Sequence, residues 1–407
     1  MHLCRNCSAP LSLSFADLGR QPPSNALLTD PEQGEMIYPL HAYVCEICWL
    51  VQLPAIVPRE EIFNDHYAYF SSNSKGFLAQ CAHYTQRMAE MLAFTENPLV
   101  VEIASNDGYL LQYFKDLGID VLGIEPSANV AAAAEKRGIP TDVAFFSVAR
   151  ARLHADARPK PDLIIANNVF AHVPDVHDFV ERIRILLKKG GTVTIEFPHL
   201  LNLIKDRQFD TIYHEHFSYY WLHTAMDILG QHALKIFRVE KLPNLGGSLR
   251  LFVAHFGDPR EPDGSGYEIL KEEVTFGFDQ DKTYTKFSRR VTDTKCDLLD
   301  FLIDAHRAES SVGGYGAPAK ATVLLNYCGI GPEFLPYVVD TTPFKQGKYV
   351  PGVGVPIFHE DHLFADKPDY VLLFPWNLKK EIVGRIGDRV RAWGGKFVTA
   401  IPSLEIF

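Results

Sequence analysis

The residues best suited to chemistry lie in the stretch DTIYHEHFSYYW, residues 210–221, where Tyr213, His214, Glu215 and His216 are consecutive. Histidine titrates near neutral pH, so this segment predicts a site that moves protons. The backbone conformation decides which side chains meet. In an extended strand alternate side chains would face opposite sides, whereas a loop or a helix start would let all four converge.

Two other interpretations of this segment are open from the sequence. His214 and His216 could bind a catalytic metal ion, which would need a third ligand such as His199 or Glu196. The two histidines could also be core residues packed among the aromatic side chains that flank them. The partners of the two rings in the folded chain distinguish these alternatives.

Four of the seven cysteines form two CxxC pairs, Cys4 with Cys7 and Cys45 with Cys48. In a reducing compartment this arrangement indicates a metal site more readily than disulfides, and two such turns complete a tetrahedral zinc site. Four thiolates leave no open position for a substrate, so the predicted zinc is structural. The competing interpretation, four unrelated buried thiols, is disfavoured by the repeated spacing.

The segment PLVVEIASNDGYLLQYFKDLGIDVLGIEPS predicts the element that positions a cofactor: a strand over residues 99–103, a short loop, a helix, and a second strand over residues 120–124 that ends on Glu125. The loop lacks the GxGxxG pattern that brings a backbone close to a pyrophosphate. S-Adenosylmethionine has no phosphate, and Glu125 is suited to accept its ribose hydroxyls. The loop residues predicted to bind this cofactor are Glu102, Ala104, Asn106 and Gly108.

The following residues continue the same pattern. Asp142 stands where an acceptor for the adenine edge would lie, and a strand over residues 163–166 ends on Asn167 and Asn168, beside the expected reaction centre. A helix, a glycine turn and another strand follow, as in a class I methyltransferase fold. Another doubly wound α/β fold is the alternative.

Composition limits the classes of function. A chain of 407 residues is long enough for two or three domains, and its formal net charge of -10 disfavours nucleic acid as a partner. No apolar run approaches the roughly 20 residues that span a bilayer, and the first residues lack the pattern of a signal peptide. We therefore expect a soluble, cytoplasmic protein that does not bind membranes.

Several motifs together resemble the sugar C-methyltransferases that make branched deoxysugars: the paired CxxC turns, VEIASNDG, ANNVFAHVPD, YHEHFSYY, GGSLR and YGAPAKA. The resemblance covers essentially the whole chain. It implies an α/β protein of three parts, namely a zinc-binding domain over residues 1–70, an S-adenosylmethionine-binding domain over residues 71–256, and a Rossmann-like domain over residues 257–407. The implied substrate is a nucleotide-linked 4-keto-6-deoxy sugar, commonly linked to thymidine diphosphate, with methylation most often at C3.

This reaction requires a base and a stabiliser of negative charge. A hydrogen on a carbon next to a ketone can be removed to leave an enolate, which then takes the methyl group. The resemblance implies that His216 is the base for the C3 proton, that Tyr213 donates to or orients the sugar, and that Glu215 is a positioning or hydrogen-bonding partner. A carbon methylation of this kind needs no catalytic metal.

The resemblance also carries over residues from other segments. His172 is implied to lie near the keto group, and Tyr67 in DHYAYFSS to reach the same cavity, with Tyr69 as its competitor. Gly247 and Ser248 are expected against the sugar, at the start of a strand.

The last part of the chain alternates strands and helices, as in a second doubly wound domain without GxGxxG. Since glycine turns and helix starts hold phosphates, this domain is expected to bind the diphosphate of the sugar nucleotide. Tyr315, Lys320 and Lys348 are the candidates, with a solvated side chain as the alternative for each lysine. Trp376 and Asn377 are further candidates for the cleft.

Proteins of other classes stay as alternatives. An O- or N-methyltransferase would use the same cofactor domain without a base next to a ketone. A non-catalytic binding scaffold would have a degenerate cofactor loop, and a zinc-ribbon protein that binds nucleic acid would be basic. The sequence leaves the particular sugar, the stereochemistry and the oligomeric state open.

Overall fold

A computed structural model describes residues 2–62, 70–73, 75–94, 96–157 and 159–407. These residues form three β-sheets of four, seven and six strands. Short 3-10 turns connect several elements, at Ser71–Asn73, Phe170–His172, Phe209–Thr211, Asn244–Gly246, Pro343–Lys345 and Trp376–Leu378. Within the described ranges, no helix has the length and hydropathy needed to cross a membrane.

The N-terminal sheet has the order β1-β2-β3-β9, with all neighbours antiparallel. Its fourth strand, β9 (Ser218–Tyr219), comes from far along the chain and follows directly on the YHEH motif. The first elements are β1 (Leu13–Gln21), β2 (Tyr38–Val44), β3 (Val51–Gln52), α1 (Arg59–Ile62) and α2 (Lys75–Leu92). Because β9 joins this sheet, the sheet contains residues from both sides of the domain boundary predicted after residue 70. The domain limits stay a prediction.

The central sheet has the order β10-β11-β8-β7-β4-β5-β6, in which only β11 is antiparallel to the other strands. Strands β4 and β7 are buried at every position, as expected when helices cover both faces of a parallel sheet. The elements are β4 (Leu99–Ile103), α3 (Leu111–Asp116), β5 (Asp120–Ile124), α4 (Ala128–Lys136), β6 (Thr141–Asp142), α5 (Val148–Ala157), β7 (Leu163–Asn167), α6 (Val176–Leu186), β8 (Thr192–Pro198), α7 (Leu200–Lys205), α8 (Leu222–Gln231), β10 (Leu234–Leu242) and β11 (Ser248–His255).

The C-terminal sheet has the order β14-β13-β12-β15-β16-β17 and is parallel except for β17. Gly277, with φ of +94°, ends the first of the two helices that precede this sheet. The elements are α9 (Ser265–Phe276), α10 (Asp281–Arg307), β12 (Val312–Tyr315), α11 (Ala319–Cys328), β13 (Val338–Val339), β14 (Ile357–Phe358), α12 (Asp361–Asp366), β15 (Tyr370–Leu373), α13 (Lys379–Ala392), β16 (Lys396–Thr399) and β17 (Glu405–Ile406).

Helix α10 connects the N-terminal and C-terminal parts. Its buried residues recur at helical spacing, from Tyr284 and Phe287 to Leu298 and Leu302. Phe287 stacks on Phe15 of β1, with ring centroids 4.5 Å apart. The same apolar cluster continues into α11 and the C-terminal sheet, so both parts share one core.

Candidate active site

The two CxxC segments form matching turns. Ser8 and Trp49, each directly after the second cysteine of its pair, have φ near +60°, and each donates its backbone N–H to the carbonyl of the first cysteine at 2.8 Å. The four sulfur atoms lie within 4.8 Å of one another. Zinc with Zn–S distances of about 2.3 Å would separate tetrahedral ligands by roughly 3.8 Å. Two sulfur pairs are 3.4 and 3.5 Å apart, so the predicted set fits zinc, and its members are Cys4, Cys7, Cys45 and Cys48.

The first zinc turn also contacts the loop that follows the 3-10 turn at Phe170–His172. The Arg5 guanidinium donates to the carbonyls of Pro174, at 2.9 Å, and Leu53. Gln52 accepts the backbone N–H of Arg5 at 2.9 Å and donates to the Cys4 sulfur at 3.1 Å. The zinc turn is therefore linked by hydrogen bonds to β3 and to the segment that carries His172.

The loop after β4 has the tight conformation that the sequence predicted. Ala104, Asn106 and Gly108 all have positive φ, between +49° and +74°. The Glu125 carboxylate, at the end of β5, accepts the backbone N–H of Asn106 and of Ser127, each at 2.9 Å. These contacts fix the acid at the edge where the ribose of S-adenosylmethionine would bind.

Polar atoms without partners lie at the same edge of the central sheet. Glu102 Oε2, Asn167 Oδ1 and Asn168 Oδ1 are buried and have no hydrogen-bond partner among the described residues. Burial raises the pKa of Glu102 well above its ordinary value, which favours the neutral form of this carboxyl. Unpaired buried atoms are rare in folded proteins, and a bound cofactor would pair them. The residues therefore fit S-adenosylmethionine.

Asp142, which is predicted to accept a hydrogen bond from adenine, already has partners within the protein. His154 Nε2 lies 2.9 Å and Arg150 Nη1 3.2 Å from its carboxylate oxygens. The backbone of Asp142 lies next to the end of β5, since Glu125 donates its N–H to the Asp142 carbonyl. Its role toward adenine stays a prediction.

The YHEH motif is a turn, closed by a hydrogen bond of 2.8 Å from the His216 N–H to the Tyr213 carbonyl. The Tyr213 and His216 rings lie against each other, with centroids 4.0 Å apart, and both are half-buried. His214 and Glu215 are buried and face the N-terminal part. His214 Nε2 lies 3.2 Å from the Pro39 carbonyl, and Glu215 accepts from the Asn25 amide at 2.6 Å. The turn thus separates the four side chains into two pairs.

His216 has a defined hydrogen bond on one ring nitrogen. Nδ1 lies 2.8 Å from the Thr211 carbonyl, so it carries the proton and donates, which leaves Nε2 as an acceptor. The His172 ring lies at 4.7 Å between centroids and is hydrogen-bonded to the Glu215 backbone. Burial lowers the pKa of His172 to about 4, and burial together with His172 lowers the pKa of His216 well below its ordinary value. Both rings are neutral at pH 7.

The contacts do not support the alternative of a catalytic metal at this turn. His199 is paired with Glu273 at 2.7 Å, and Glu196 with Arg250 at 2.7 Å. Within the described ranges, the four cysteines are the only cluster with the geometry of a metal site. The interpretation of the histidines as core residues fits the buried His214, but it does not fit the half-buried His216.

The C-terminal part contributes further polar groups to this region. The Trp376 indole N–H donates to Asp210 Oδ2 at 2.7 Å, and the Lys320 ammonium lies 4.6 Å from the centre of the Trp376 ring. The Gly246 backbone approaches so closely that a Cβ there would be 2.8 Å from Trp376 and 2.7 Å from Gln208. Sequence reasoning missed Asp210, although it stands at the start of the stretch that carries YHEH.

Several other residues that the sequence predicts for the site lie close to other protein atoms. Gly247 has φ of +105°, and a Cβ there would be 2.1 Å from the Asn202 amide. Ser248 Oγ donates to the Asn244 carbonyl at 3.2 Å. Asn377 lies in the 3-10 turn at Trp376–Leu378. Tyr67 and Tyr69 lie outside the described residues.

The predicted diphosphate site shows internal pairing. The Tyr315 hydroxyl donates to Glu360, next to Arg385, so it is engaged inside the C-terminal part. The backbone N–H of Ala317, just before α11, donates to the Asp340 carboxylate at 2.8 Å, where a phosphate would bind. The Lys348 ammonium lies 3.3 Å from the centre of the Phe344 ring. Diphosphate binding by these residues stays a prediction.

The strand order, the tight loop after β4 and the acid at the end of β5 define a class I methyltransferase that uses S-adenosylmethionine. Three family models match the chain: a zinc binding domain over residues 4–63, a methyltransferase domain over residues 73–236, and a C-methyltransferase C-terminal domain over residues 243–402. C-methyltransferase NovU of Streptomyces niveus is 32% identical over 405 residues, which cover 99% of this chain and 96% of that protein. The chain therefore belongs to the C-methyltransferase family.

Other similarities cover less of the chain. A ubiquinone biosynthesis O-methyltransferase of Rhodopseudomonas palustris (strain HaA2) is 33% identical over 121 residues, 29% of this chain and 46% of its own length. The S-adenosylmethionine-dependent methyltransferase structure from Anabaena variabilis covers 50% of this chain and 99% of its own, with 13% identity and a TM-score of 0.39. The PH0226 protein structure from Pyrococcus horikoshii covers 46% of this chain and 94% of its own, with 16% identity and a TM-score of 0.37.

Proposed function

We propose that this C-methyltransferase methylates C3 of a nucleotide-linked 4-keto-6-deoxy sugar, with thymidine diphosphate as the expected nucleotide and His216 as the base. The observation that carries the proposal is the state of His216. Its ring is neutral and half-buried, its Nδ1–H is held by Thr211, and its Nε2 is left to accept a proton. The sugar is supported by the resemblance of YHEH, VEIASNDG and the paired CxxC turns to sugar C-methyltransferases.

The chemistry starts from an acidic carbon. A hydrogen on C3, next to the C4 ketone, is removed by His216 Nε2, and its electron pair forms the enolate. When bound, S-adenosylmethionine supplies an electrophilic methyl group on a sulfonium sulfur. Proton transfer to a positioned histidine contributes about a hundred- to ten-thousand-fold in rate.

The neighbouring rings have separate roles in this proposal. Tyr213 lies against His216 and presents a hydroxyl that donates to the sugar. Burial keeps His172 neutral although its hydrogen bond to the Glu215 backbone opposes this effect, so His172 orients the sugar near the ketone as a donor or acceptor without adding charge. Glu215 acts through its backbone carbonyl, because its side chain is bonded to Asn25. Tyr67 is proposed to reach the same cavity.

Product analysis tests the reaction class. The enzyme is incubated with S-adenosylmethionine and a panel of 4-keto-6-deoxy nucleotide sugars, and the sugar is cleaved from its nucleotide before mass spectrometry and NMR. We expect a gain of one CH2 in mass, with a methyl signal on a ring carbon that has lost its hydrogen. A methyl group found on oxygen or nitrogen, or an absence of turnover with every sugar in the panel, would contradict the proposal.

A further inference from the structure

A second group of polar side chains lies beside His216, and the roles proposed above do not use it. Asp210 directly precedes Thr211, whose carbonyl holds the His216 ring. Trp376 donates to one Asp210 oxygen at 2.7 Å, and the Lys320 ammonium lies 4.6 Å from the Trp376 ring centre. This group, Asp210, Lys320 and Trp376, joins the turn before YHEH to the start of α11 and to the C-terminal part.

Two atoms of this group are buried without a hydrogen bond. Asp210 Oδ1 and Lys320 Nζ have no hydrogen-bond partner among the described residues. Leaving a buried charged group unpaired is costly, so such atoms indicate that a ligand completes the site. Lys320 also acts across the site, because its charge contributes to the lowered pKa of His216. The Lys320 ammonium group is therefore close enough to the proposed base to interact with it.

We infer that Lys320 is a catalytic residue whose ammonium group stabilises the enolate oxygen formed at the C4 ketone, and that Asp210 and Trp376 position it. This inference rests on the proposed function. In the step concerned, the C3–H bond breaks, its proton moves to His216 Nε2, its electron pair forms the C3–C4 double bond, and the carbonyl π pair moves to oxygen. Lys320 donates a charge-assisted hydrogen bond to that oxygen and keeps its proton.

The surroundings of Lys320 fit an enolate oxygen better than a diphosphate. The Asp210 carboxylate interacts with the same ammonium group and is fully buried, so a diphosphate with two or more negative charges would be repelled there. The single negative charge that develops on an enolate oxygen would be repelled less. Asp210 Oδ1 can accept a hydrogen bond from a sugar hydroxyl. The Trp376 ring offers an apolar face to the hexose. The sequence suggested Lys320 for diphosphate binding, and the geometry moves it to the reacting carbonyl.

Two measurements on the full-length protein separate these roles. The first is exchange of the C3 hydrogen with solvent deuterium, at saturating sugar nucleotide and with S-adenosylhomocysteine in place of the methyl donor. The second is the Kd for thymidine diphosphate, by calorimetry. For Lys320→Met we expect an exchange rate at least about 100-fold lower, the usual effect of removing one oxyanion donor, with an unchanged Kd. Lys295→Met is the matched control, because the Lys295 ammonium also lies over an aromatic ring, that of Tyr327, but on α10.

Two further variants keep the inference testable if Lys320→Met does not fold. Lys320→Arg retains the charge and is expected to exchange faster than Lys320→Met. Asp210→Asn removes the carboxylate that favours the charged lysine, so the fall of exchange on the alkaline side should begin at a lower pH. A pH profile identical to that of the unmodified protein would overturn the positioning role.

The possible failures are distinguishable. A weaker thymidine diphosphate Kd for Lys320→Met, with exchange at saturation unchanged, would assign Lys320 to the diphosphate and overturn the inference. The same exchange rate and the same Kd in Lys320→Met and in the unmodified protein would also overturn the inference, but would leave the proposed role of His216 as the base intact. If the unmodified protein exchanges no C3 hydrogen of any 4-keto sugar, the proposed function fails and the role of Lys320 fails with it.

Discussion

At the residue scale, the low pKa of His216 keeps the proposed base unprotonated. Burial, then the neighbouring His172, hold the imidazole neutral at pH 7, and Thr211 fixes its tautomer. In the proposed reaction, negative charge develops on a substrate oxygen nearby, and the imidazolium gains that oxygen as an ionic partner. The ring therefore becomes a stronger base as the reaction proceeds, although it is a weak base beforehand.

Glu215 predicts a pH dependence of stability. Burial raises its pKa to about 7 from the ordinary 4.5, despite the hydrogen bond from Asn25. The folded state thus holds this proton more tightly than the unfolded chain, so stability is greatest below about pH 4.5 and falls as the pH rises through about 7. At about 1.4 kcal/mol per pH unit, the loss from this group is up to about 3 kcal/mol.

Glu215→Gln should remove this loss. The free energy of unfolding of both proteins is measured by denaturant titration between pH 4.5 and pH 7. We expect the variant to become increasingly more stable than the original protein as the pH rises over this range. Glu135→Gln, at an exposed position, is the control and should leave the difference constant. Parallel pH curves for Glu215→Gln and the original protein would show that the carboxyl is ionised in the folded state.

At the element scale, the zinc turns position the histidines through backbone contacts. Arg5 holds the Pro174 carbonyl, and β9, directly after His216, pairs with β3. The Phe217 N–H donates to the Ala171 carbonyl at 2.7 Å, which joins the segments of His216 and His172. The zinc turns are therefore linked by backbone contacts to the two rings that are proposed to be catalytic.

Loss of zinc should loosen these segments. For Cys45→Ser we expect faster amide hydrogen exchange at Phe217 and lower activity, while S-adenosylmethionine binding changes less, because its residues lie on β4, β5 and β7. Cys296→Ser, which replaces an exposed cysteine, should match the original protein. Unchanged protection of Phe217 in a zinc-free variant would show that the zinc turns do not support this site.

The approach of the β10–β11 connection to Trp376 gives another prediction. Gly246 has φ of +88°, and a Cβ there would collide with Trp376 and Gln208. Gly190 has a similar φ of +79° but open space around it. Both Gly→Ala variants should lose roughly 1 kcal/mol of stability from backbone strain, but only Gly246→Ala should also lower kcat, by displacing Trp376. Equal kcat values for the two variants would contradict a role of this contact in the site.

The elements were largely predictable because their signals are local. Apolar runs over residues 99–103 and 163–166 gave β4 and β7, and the repeated CxxC spacing gave the zinc site. The two-residue strand β9 was not predictable, since so short a strand has no periodicity. The split of YHEH into two pairs was not predictable either, because it depends on the closing hydrogen bond of one turn.

At the scale of the whole molecule, three parts of the chain meet around one pair of rings. The N-terminal part supplies Asn25 and Arg5, the central part His172 and His216, and the C-terminal part Lys320 and Trp376. The contacts that join Asp210, Trp376 and Lys320 were not predictable, because residue spacing carries no information on contacts between distant segments. The resemblance supplied the roles of His216 and His172, and the fold then brought the two rings together.

The central claim is that His216 removes the hydrogen from the carbon that is methylated. It is tested most directly by C3 hydrogen exchange of a 4-keto-6-deoxy nucleotide sugar in D2O with S-adenosylhomocysteine bound, comparing the original protein with His216→Asn. His214→Asn, at the neighbouring histidine bonded to Pro39, is the matched control. We predict exchange in the original protein and the control, and a rate lower by about 100-fold or more in His216→Asn. Equal exchange rates in His216→Asn and the original protein would contradict the claim.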